Sequence, residues 1–282
     1  MKNKLIADAG GSKTDWALLD EATGTSFIFT GPGINPLQQK IEVISRDLEK
    51  IKALINRKEN IKEIWFYGAG CATDNVKDKL KNALLHYWPD SEIKVNSDLL
   101  GAAVSLFGNG DGIACILGTG SNSCLYSNGK IKDNIPSLGY VLGDEGGGCY
   151  LGKSLINKVY KRQLSKPLTD FFFEETRLTI EELIRKVYQE PAPSRYLASF
   201  IPFIKAHIDK KEIRDIVEEG FRMFFKKNIL PYKPPSNLHV GFVGGVAFQF
   251  EDILRQMAQY FNFNVGLILK SPIEGLISHH LN

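Results

Sequence analysis

The sequence predicts an α/β protein of two similar domains with a ligand-binding cleft between them. The first observation is that strand-like and helix-like segments follow the order β-β-β-α-β-α-β-α twice along the 282 residues. The second is that each copy opens with an apolar strand that ends in a glycine-rich turn. The third is that twelve of the 26 glycines lie between Gly108 and Gly152, and none lies between Gly152 and Gly220. Two α/β domains around a cleft are the simplest architecture for such a repeat.

The first copy begins with a strand at Leu5–Ala7, which ends at the turn Asp8–Ser12. Apolar residues three or four positions apart, such as Ile44, Leu48 and Ile51, predict a helix after the third strand. The other predicted elements of this copy are strands Trp16–Leu19, Ser26–Thr30, Glu63–Tyr67 and Ile93–Val95, and helices Pro36–Ile55, Asn75–Tyr87 and Leu99–Phe107.

The second copy repeats this order from the apolar strand Ile113–Leu117. Its strands are interrupted by an insertion, Tyr150 to Tyr232, that has helical stripes and no strand signal. We therefore predict an N-terminal domain of residues 1–107 plus a C-terminal helix at about 273–282, and a second domain of residues 108–272 with a helical insertion at about 150–232. The other predicted elements are strand Ser123–Tyr126, a strand starting at Gly129–Ile131, a glycine-rich loop Gly139–Gly148, strand Leu238–Val243, helix Val246–Tyr260, strand Asn264–Leu269 and a helix from Ile273.

Composition excludes several classes of protein. A net charge of +3 is too small to indicate nucleic-acid binding. The four cysteines show no metal-ligand spacing and are typical of reduced thiols in a cytosolic protein. Asp8 interrupts the N-terminal apolar run, and no run approaches the roughly 18 apolar residues of a membrane span. We therefore expect a cytoplasmic protein without a membrane partner.

Three glycine patterns compete as phosphate-binding sites. Residues Gly147–Ser154 formally match the P-loop pattern, with Tyr140–Leu142 as the candidate strand before it. A P-loop protein needs further β-α units after this point, but the following insertion offers only helices. We therefore favour a chance match that leaves Lys153 on a helix surface. Gly68-Ala-Gly70 lacks the third glycine of a dinucleotide fingerprint and is better explained as a tight turn.

The third pattern is the pair of turns between hairpin strands, Asp8–Thr14 and Gly118–Asn122. Small residues there allow backbone N–H groups and hydroxyls to approach phosphate oxygens, and Lys13 can add a point charge. Asp8, beside the first turn, suits a magnesium ion held through water. One such turn alone is usually an ordinary hairpin. Two such turns at equivalent positions of the repeat, together with Gly244-Gly245 at the end of a third strand, favour phosphate binding.

These segments resemble the motifs of a known superfamily. Asp8–Trp16 resembles the first phosphate motif of the sugar kinase, chaperone ATPase and actin superfamily, Leu117–Asn122 resembles its second, and Val240–Val246 resembles its adenosine motif. Leu142–Gly146 is similar to a loop of the N-acetylglucosamine kinases, which related activator ATPases share. The resemblance covers nearly the whole chain in the expected order. It implies two ribonuclease H-like domains of the actin-like ATPase type, with ATP and Mg²⁺ as cofactors, and it alone suggests a homodimer.

A sugar kinase needs a carboxylate that accepts the proton of the attacking hydroxyl, and Asp98 is our candidate. The family places its catalytic aspartate at the corresponding Ser97-Asp98. Asp98 could instead cap the following helix, a role that Ser97 can also fill. The resemblance implies sugar contacts at Asn35, Asp98, Thr119, Asn122, Gly139 and Asp144, and nucleotide or phosphate contacts at Gly10, Gly11, Ser12, Lys13, Thr14, Gly118, Thr119, Gly120, Gly244 and Gly245.

The predicted function is ATP-dependent phosphorylation of an amino sugar, with N-acetylglucosamine and its 6-hydroxyl as the first choice. Asp144 could accept hydrogen bonds from two sugar hydroxyls, although Asp144 or Glu145 could equally cap the loop. Leu138 stands where close relatives often carry a tryptophan, so N-acetylmuramic acid and glucosamine stay open as substrates. Two other functions on the same fold also stay open. One is an activator ATPase, which would need cysteines to bind a cluster, and the other is a sugar or nucleotide sensor that does not catalyse a reaction.

Overall fold

The computed structural model describes residues 3–11, 13–55, 60–233 and 238–281. Contacts divide the chain into two units. Unit 1 comprises Met1–Gly110, Ser127–Ile131 and Ser271–Asn282, and unit 2 comprises Asp111–Tyr126 and Lys132–Lys270. The last helix of the chain therefore belongs to the same unit as the N-terminal residues.

Strands and helices alternate through most of unit 1, whereas helices dominate the middle of unit 2. The strands are β1 Asn3–Ala9, β2 Lys13–Asp20, β3 Thr25–Pro32, β4 Ile61–Gly68, β5 Glu92–Ser97, β6 Gly112–Leu117, β7 Ser121–Ser127, β8 Lys130–Asp133, β9 His239–Val243 and β10 Asn264–Leu269. The helices are α1 Ile41–Leu54, α2 Asp74–Tyr87, α3 Asp98–Phe107, α4 Gly139–Leu142, α5 Gly148–Tyr160, α6 Lys166–Thr176, α7 Ile180–Tyr188, α8 Pro193–Ala198, α9 Ile201–Ala206, α10 Lys211–Phe224, α11 Gly245–Gln249, α12 Glu251–Tyr260 and α13 Ile273–Leu281. None of these described helices combines the length and apolar composition needed to cross a membrane.

The predicted duplication is confirmed by the strand order of the two sheets. The first sheet has the order β3-β2-β1-β4-β5, and the second has the equivalent order β8-β7-β6-β9-β10. In each sheet the first strand of the copy pairs antiparallel with the next strand and parallel with the strand that follows the first helical segment. Because both first strands are central, the turns that follow them occupy equivalent positions in the two units.

The core of unit 1 lies between the sheet and its helices. Leu5, Ile6 and Ala7 of the central strand β1 are completely buried, which explains their unbroken apolar run. Helix α1 contributes Ile44 and Leu48 to the same core from one face. The edge strand β3 is mostly exposed, as expected for a strand that has a neighbour on one side only.

The helical insertion enlarges the core of unit 2. Between β8 and β9 the described residues form helices α4 to α10, followed by a π-helical turn at Phe225–Ile229 and a 3₁₀ turn at Leu230–Tyr232. Helix α10 buries Ile213, Val217 and Phe224 at helical spacing. These side chains join one apolar cluster that includes residues of β6 and β9, so the insertion packs on the sheet.

One predicted helix begins later than expected. The helix predicted from Pro36 starts at Ile41, because Asn35 holds the preceding residues in a turn. The Asn35 side-chain Oδ1 accepts the Leu37 N–H at 3.1 Å, and the Asn35 carbonyl accepts the Gln39 N–H at 2.9 Å. Such local bonds from asparagine compete with helix formation.

A second predicted helix is divided into two. The helix predicted over Val246–Tyr260 is interrupted at Phe250, where the backbone leaves helical geometry and the ring is buried in the core of unit 2. The Gln249 carbonyl beside the break accepts a hydrogen bond from Lys205 Nζ at 2.6 Å. Burial of one aromatic ring and this bond from another helix decided the interruption, and neither is visible in the local sequence pattern.

Candidate functional site

Three parallel strands of unit 1 end at one edge of its sheet. In their register, Ala9 of β1 lies beside Gly68 of β4, which lies beside Ser97 of β5. Asp8 precedes this row on β1, and Asp98 follows it as the first residue of α3, directly after β5. Since the carboxyl ends of parallel strands meet at the same edge of a sheet, the two aspartates are brought together there.

The aspartates at this edge form a carboxylate cluster, which we define as Asp8, Asp15 and Asp98. Asp15 lies directly opposite Asp8 across the β1–β2 pair. Burial, and then the charges of Asp15 and Asp98, raise the pKa of Asp8 from 3.8 to about 7. The Lys13 charge and the Ser271 hydroxyl, whose Oγ lies 3.5 Å from Asp8 Oδ2, oppose this rise.

Asp98 does not cap the helix that follows it, which was the alternative to a catalytic role. Ser97 caps helix α3, because its hydroxyl accepts the Leu100 N–H at 3.2 Å. The Asp98 Oδ1 accepts the Leu99 N–H at 2.9 Å. Burial raises the pKa of Asp98 above its ordinary value, against the opposing effect of backbone hydrogen bonds. The buried carboxyl is therefore a stronger proton acceptor than a solvated aspartate.

Sequence reasoning missed Asp15, which is 6% exposed. Its carboxylate accepts hydrogen bonds from Lys13 Nζ at 2.6 Å and from Thr30 Oγ1 at 2.8 Å. The candidate phosphate-binding lysine therefore forms an ion pair with Asp15. The position of Asp15 directly before the apolar run Trp16–Leu19 was the available signal for this role.

The donors of the cluster fit Mg²⁺ better than a transition metal. The part of the chain that the structure describes contains no group of three or more His, Cys, Asp or Glu side chains arranged to hold a metal. Mg²⁺ needs no such group, since it is commonly bound by one or two carboxylates with water and phosphate oxygens. Burial, and then repulsion from Asp15 and Asp98, raise the pKa of Asp8, and a divalent cation would relieve that repulsion.

The first glycine turn is held by close backbone contacts. The Gly10 N–H donates to the Lys13 carbonyl at 2.9 Å and closes the turn between β1 and β2. A Cβ at Gly33 would lie 2.7 Å from the Gly11 backbone, so only glycine fits beside this turn. Thr14 is completely buried, and no described group bonds its Oγ1. Ser12, the remaining predicted phosphate contact of this turn, lies outside the described residues.

The second glycine turn, between β6 and β7, is supported by the start of helix α5. The Gly148 N–H donates to the Gly118 carbonyl and the Cys149 N–H to the Thr119 carbonyl, both at 2.8 Å. The Thr119 side chain is exposed. A Cβ at Gly118 would meet no atom within 4 Å, so packing does not require glycine there. A glycine that faces open space suits close approach of a ligand to the backbone.

The Gly244-Gly245 pair follows β9, at the position equivalent to Gly68 in unit 1. Gly244 has a φ of +125°, and a Cβ there would lie 2.3 Å from the Leu117 carbonyl oxygen. Its conformation and packing therefore both require glycine. A Cβ at Gly245 would meet only the Gln249 amide nitrogen, at 3.9 Å, so that position is open.

Asp144 is fixed against the second glycine turn. Its Oδ1 accepts the Ser121 N–H at 3.2 Å, and the Cys149 thiol donates to its Oδ2 at 3.6 Å. A Cβ at Gly120 would lie 2.8 Å from both carboxylate oxygens. Asp144 is 7% exposed and has a φ of +58°, and burial raises the pKa of its carboxyl. Sequence reasoning missed Cys149, and no local pattern identifies it.

The structure separates Asp144 from its acidic neighbour. Glu145 is also buried, but its Oε1 forms an ion pair with Lys227 Nζ at 2.7 Å. Its Oε2 lies 3.5 Å from Asn228 Nδ2. Glu145 therefore joins the loop to the π-helical turn, whereas Asp144 joins it to the glycine turn, so the two acids are not interchangeable.

The other predicted sugar-binding residues lie in turns and loops. Asn35 is 8% exposed in unit 1, and a Cβ at Gly70 would lie against its Oδ1. In unit 2, the Asn122 Oδ1 accepts the Asn134 Nδ2 hydrogen at 3.0 Å. Gly139 has a φ of +72°, which favours glycine. The structure thus groups Asp8 and Asp98 with the first turn, and Asp144 with the second, while no described hydrogen bond links Asn122 or Gly139 to Asp144.

The P-loop match at Gly147–Ser154 does not form a P-loop. Its residues from Gly148 onward lie in α5, and Tyr140–Leu142, the candidate strand, belongs to helix α4. Lys153 is half-buried rather than on an open helix surface, and its Nζ donates to the Tyr140 carbonyl at 3.1 Å. The match is a coincidence of spacing within a helix.

Two five-stranded sheets of equivalent order, each with a glycine turn after its first strand, define an actin-like ATPase fold. A Porphyromonas gingivalis protein described as a putative N-acetylglucosamine kinase has a crystal structure that matches this chain with a TM-score of 0.94. The two are 41% identical over 99% of this chain and 98% of that one. The chain therefore belongs to the N-acetylglucosamine kinase-like family of the sugar kinase, chaperone ATPase and actin superfamily.

More distant structures share the fold alone. A protein from Chromobacterium violaceum with the same description matches with a TM-score of 0.73 at 16% identity, over 100% of this chain and 99% of that one. A glucokinase from Streptomyces griseus, in complex with glucose and AMPPNP, matches with a TM-score of 0.52 at 16% identity, over 98% and 97% of the two chains. No protein-family model and no curated protein matches the chain.

Proposed function

We propose that this protein is an ATP-dependent kinase that phosphorylates N-acetylglucosamine at its 6-hydroxyl. The observation that carries the proposal is the position of Asp98 at the carboxyl end of β5, beside Asp8 and with the helix-capping role taken by Ser97. The 41% identity to the Porphyromonas gingivalis protein over nearly the whole chain supports the same activity.

Asp98 is proposed as the general base. Phosphoryl transfer to a sugar hydroxyl requires that the hydroxyl lose its proton as the bond to phosphorus forms. The raised pKa of the buried Asp98 carboxyl favours acceptance of that proton. The Leu99 N–H holds the Asp98 Oδ1 in place.

We assign the nucleotide contacts to the two glycine turns and to the Gly244-Gly245 pair. Backbone N–H groups at Gly10, Gly11, Gly118, Thr119 and Gly120 would bind phosphate oxygens, with Gly244 and Gly245 at the adenosine. The resemblance also assigns Ser12, Lys13 and Thr14 to this set. Lys13 would leave its ion pair with Asp15 to reach a phosphate, and Thr14, being buried, would act through its backbone.

The metal of this reaction would be held beside Asp8, through water. A bound Mg²⁺ neutralises charge on the phosphate oxygens and on the carboxylate cluster. Asp8 must be ionised for this role, and its raised pKa means that it binds a proton in competition with the metal near neutral pH. The hydrogen bonds from Lys13 Nζ and Thr30 Oγ1 fix the Asp15 carboxylate beside Asp8.

The sugar contacts are proposed at Asp144, Asn35, Thr119, Asn122 and Gly139. Asp144 is the best-supported of these, because the Cys149 thiol and the Ser121 N–H hold both of its oxygens. Each oxygen keeps a further lone pair that can accept a hydrogen bond from a sugar hydroxyl. Leu138, which is 65% exposed, leaves the substituent on the ring less enclosed than a tryptophan would.

The deciding assay is sugar-dependent ADP release across N-acetylglucosamine, glucosamine, N-acetylmannosamine and N-acetylmuramic acid. Asp98→Asn should lower kcat about 10²–10⁴-fold and leave the ATP KM within a few fold. The exposed Asp78 of helix α2 provides the matched control, Asp78→Asn, which should keep wild-type turnover.

Each alternative has its own outcome in that assay. Wild-type turnover in Asp98→Asn would reject this base. Sugar that binds without ADP release would indicate a sensor, and ADP release that no sugar stimulates would indicate an activator-type ATPase. Faster turnover of another sugar in the panel would keep the kinase and replace its substrate.

A further inference from the structure

Unit 2 contains a cavity of about 360 Å³ that none of the proposed sugar or phosphate contacts lines. It lies among helices α4, α5, α7 and α8, and its wall is mainly apolar, with Val141, Ile156, Leu183 and Val187 among the lining side chains. This volume is within the range of about 300–1,000 Å³ that is usual for small-molecule sites.

Lys153 is the charged side chain among the residues that line this cavity. Its ammonium donates one hydrogen bond, to the Tyr140 carbonyl at 3.1 Å, and it lies 5.6 Å from the centre of the Tyr150 ring. Among the described residues Lys153 forms no ion pair, although its charge opposes the rise in the pKa of the Asp144 carboxyl. A half-buried ammonium with two further N–H donors and an apolar surround is strongly favoured to bind an anion.

The mouth of the cavity exposes apolar side chains. Val141 is 67% exposed, Ile184 is 44% exposed and Tyr188 is 77% exposed, although all three line the cavity. Ile184 and Tyr188 are one helical turn apart on α7, so they form a stripe that runs along the opening. Contiguous exposed apolar surface around a concave site is typical of ligand binding.

We propose that this cavity binds a small carboxylate with an apolar body, such as a medium-chain acyl group, whose carboxylate pairs with Lys153. The apolar chain would cover Leu183, Val187 and the exposed stripe, and Asn157 offers an amide donor beside the lysine. The ligand chemistry follows from charge complementarity, because Lys153 is the one charged side chain among the residues that line this apolar cavity.

The proposed site is separate from Asp144 but close to it along the chain. Lys153 follows Cys149 by four residues on α5, which is one helical turn or about 6 Å. Lys153 also bonds the tip of the loop that Asp144 closes, where the Asp144 N–H donates to the Ser137 carbonyl at 3.1 Å. Ligand binding here does not require that the protein be a kinase.

The test uses octanoate as the probe, titrated into the whole protein in a calorimeter. Octanoate should bind at one site with a Kd below about 1 mM. Lys153→Met keeps the apolar stem and removes the charge, and it should weaken octanoate binding about tenfold or more, because charge-assisted bonds are among the strongest. Octanamide, which has the same chain without the charge, should bind wild type and variant within about threefold of each other.

Lys158→Met on the same helix is the matched control, and it should bind octanoate as the wild type does. Val187→Phe is a second variant that fills the cavity, and it should weaken both probes. Thermal unfolding of each variant establishes that it is folded. No octanoate binding at 1 mM in the wild type, several weak sites, or unchanged binding in Lys153→Met would each overturn the proposal.

Discussion

His280, on the C-terminal helix α13, makes the stability of unit 1 sensitive to acid. Its ring is 7% exposed, and the Tyr67 hydroxyl lies 3.0 Å from Nε2. The ring also contacts Trp65, with 4.4 Å between the centroids. Burial, and then the charges of His279, Lys4 and Lys94, lower the pKa of His280 from 6.5 to about 3. The folded protein therefore keeps this histidine neutral where the unfolded chain protonates it.

The magnitude follows from the two pKa values. Between pH 6.5 and pH 3 the unfolded state binds one proton more than the folded state at this residue, so stability falls as the pH falls. At pH 5 the difference is about 2 kcal/mol relative to pH 7.5, because one pKa unit corresponds to about 1.4 kcal/mol. His280→Gln keeps a group that can bond the Tyr67 hydroxyl but does not titrate. Between pH 7.5 and pH 5, the unfolding free energy of His280→Gln should therefore fall by about 2 kcal/mol less than that of the wild type.

Urea unfolding at pH 7.5 and pH 5.0 measures this difference. The three tryptophans of the chain, Trp16, Trp65 and Trp88, all lie in unit 1, so their fluorescence reports the unit that contains His280. His86→Gln, at an exposed histidine of helix α2 in the same unit, is the matched control for replacing a histidine with an amide. Equal losses of stability in wild type and His280→Gln would refute the reasoning, because the other titrating groups cancel between them.

Variants at four further positions test the site itself. Asp8→Asn should raise the unfolding free energy of the metal-free protein at pH 8 by up to about 4 kcal/mol, since a folded pKa raised from 3.8 to about 7 costs stability as the pH rises through this range. Urea titration checks this, and no gain would contradict it. Cys149→Ala should raise the sugar KM severalfold by releasing Asp144, and Cys149→Ser should restore it in the same kinetic assay. Gly118→Ala should raise the ATP KM, and its melting temperature should stay within a few degrees of the wild-type value. Gly120→Ala is the contrasting variant, because its new methyl group clashes with Asp144 and should lower the melting temperature.

The duplicated fold could be predicted because both copies carry strong local signals. The β1 run Leu5–Ala7 is apolar without alternation, as is typical of a central strand buried on both faces, and a glycine turn follows it. Ser97 as the helix cap was also predictable, because serine is a strong cap residue immediately before a helical run. These features depend on residues close together in the chain.

Predictions failed where a distant residue decided the local structure. The interruption at Phe250 depends on the core of unit 2 and on Lys205, which is distant in sequence. The expectation that Lys153 lies on a helix surface also failed, because its side chain is half-buried and its Nζ donates to the Tyr140 carbonyl of α4. Neither contact leaves a periodic pattern in the sequence.

The sequence by itself determined the class of fold, the two glycine turns and the candidate base, since strand periodicity, glycine and the Ser97-Asp98 pair are all local. Only the tertiary structure decided the electrostatics. Strand register places Asp15 opposite Asp8 and brings Asp98 to the same edge, and burial of these carboxylates raises the pKa of Asp8. The hydrogen bond from the Cys149 thiol to Asp144 likewise forms only when the loop before α5 is folded. Charges act through distance in space and through burial, and folding sets both.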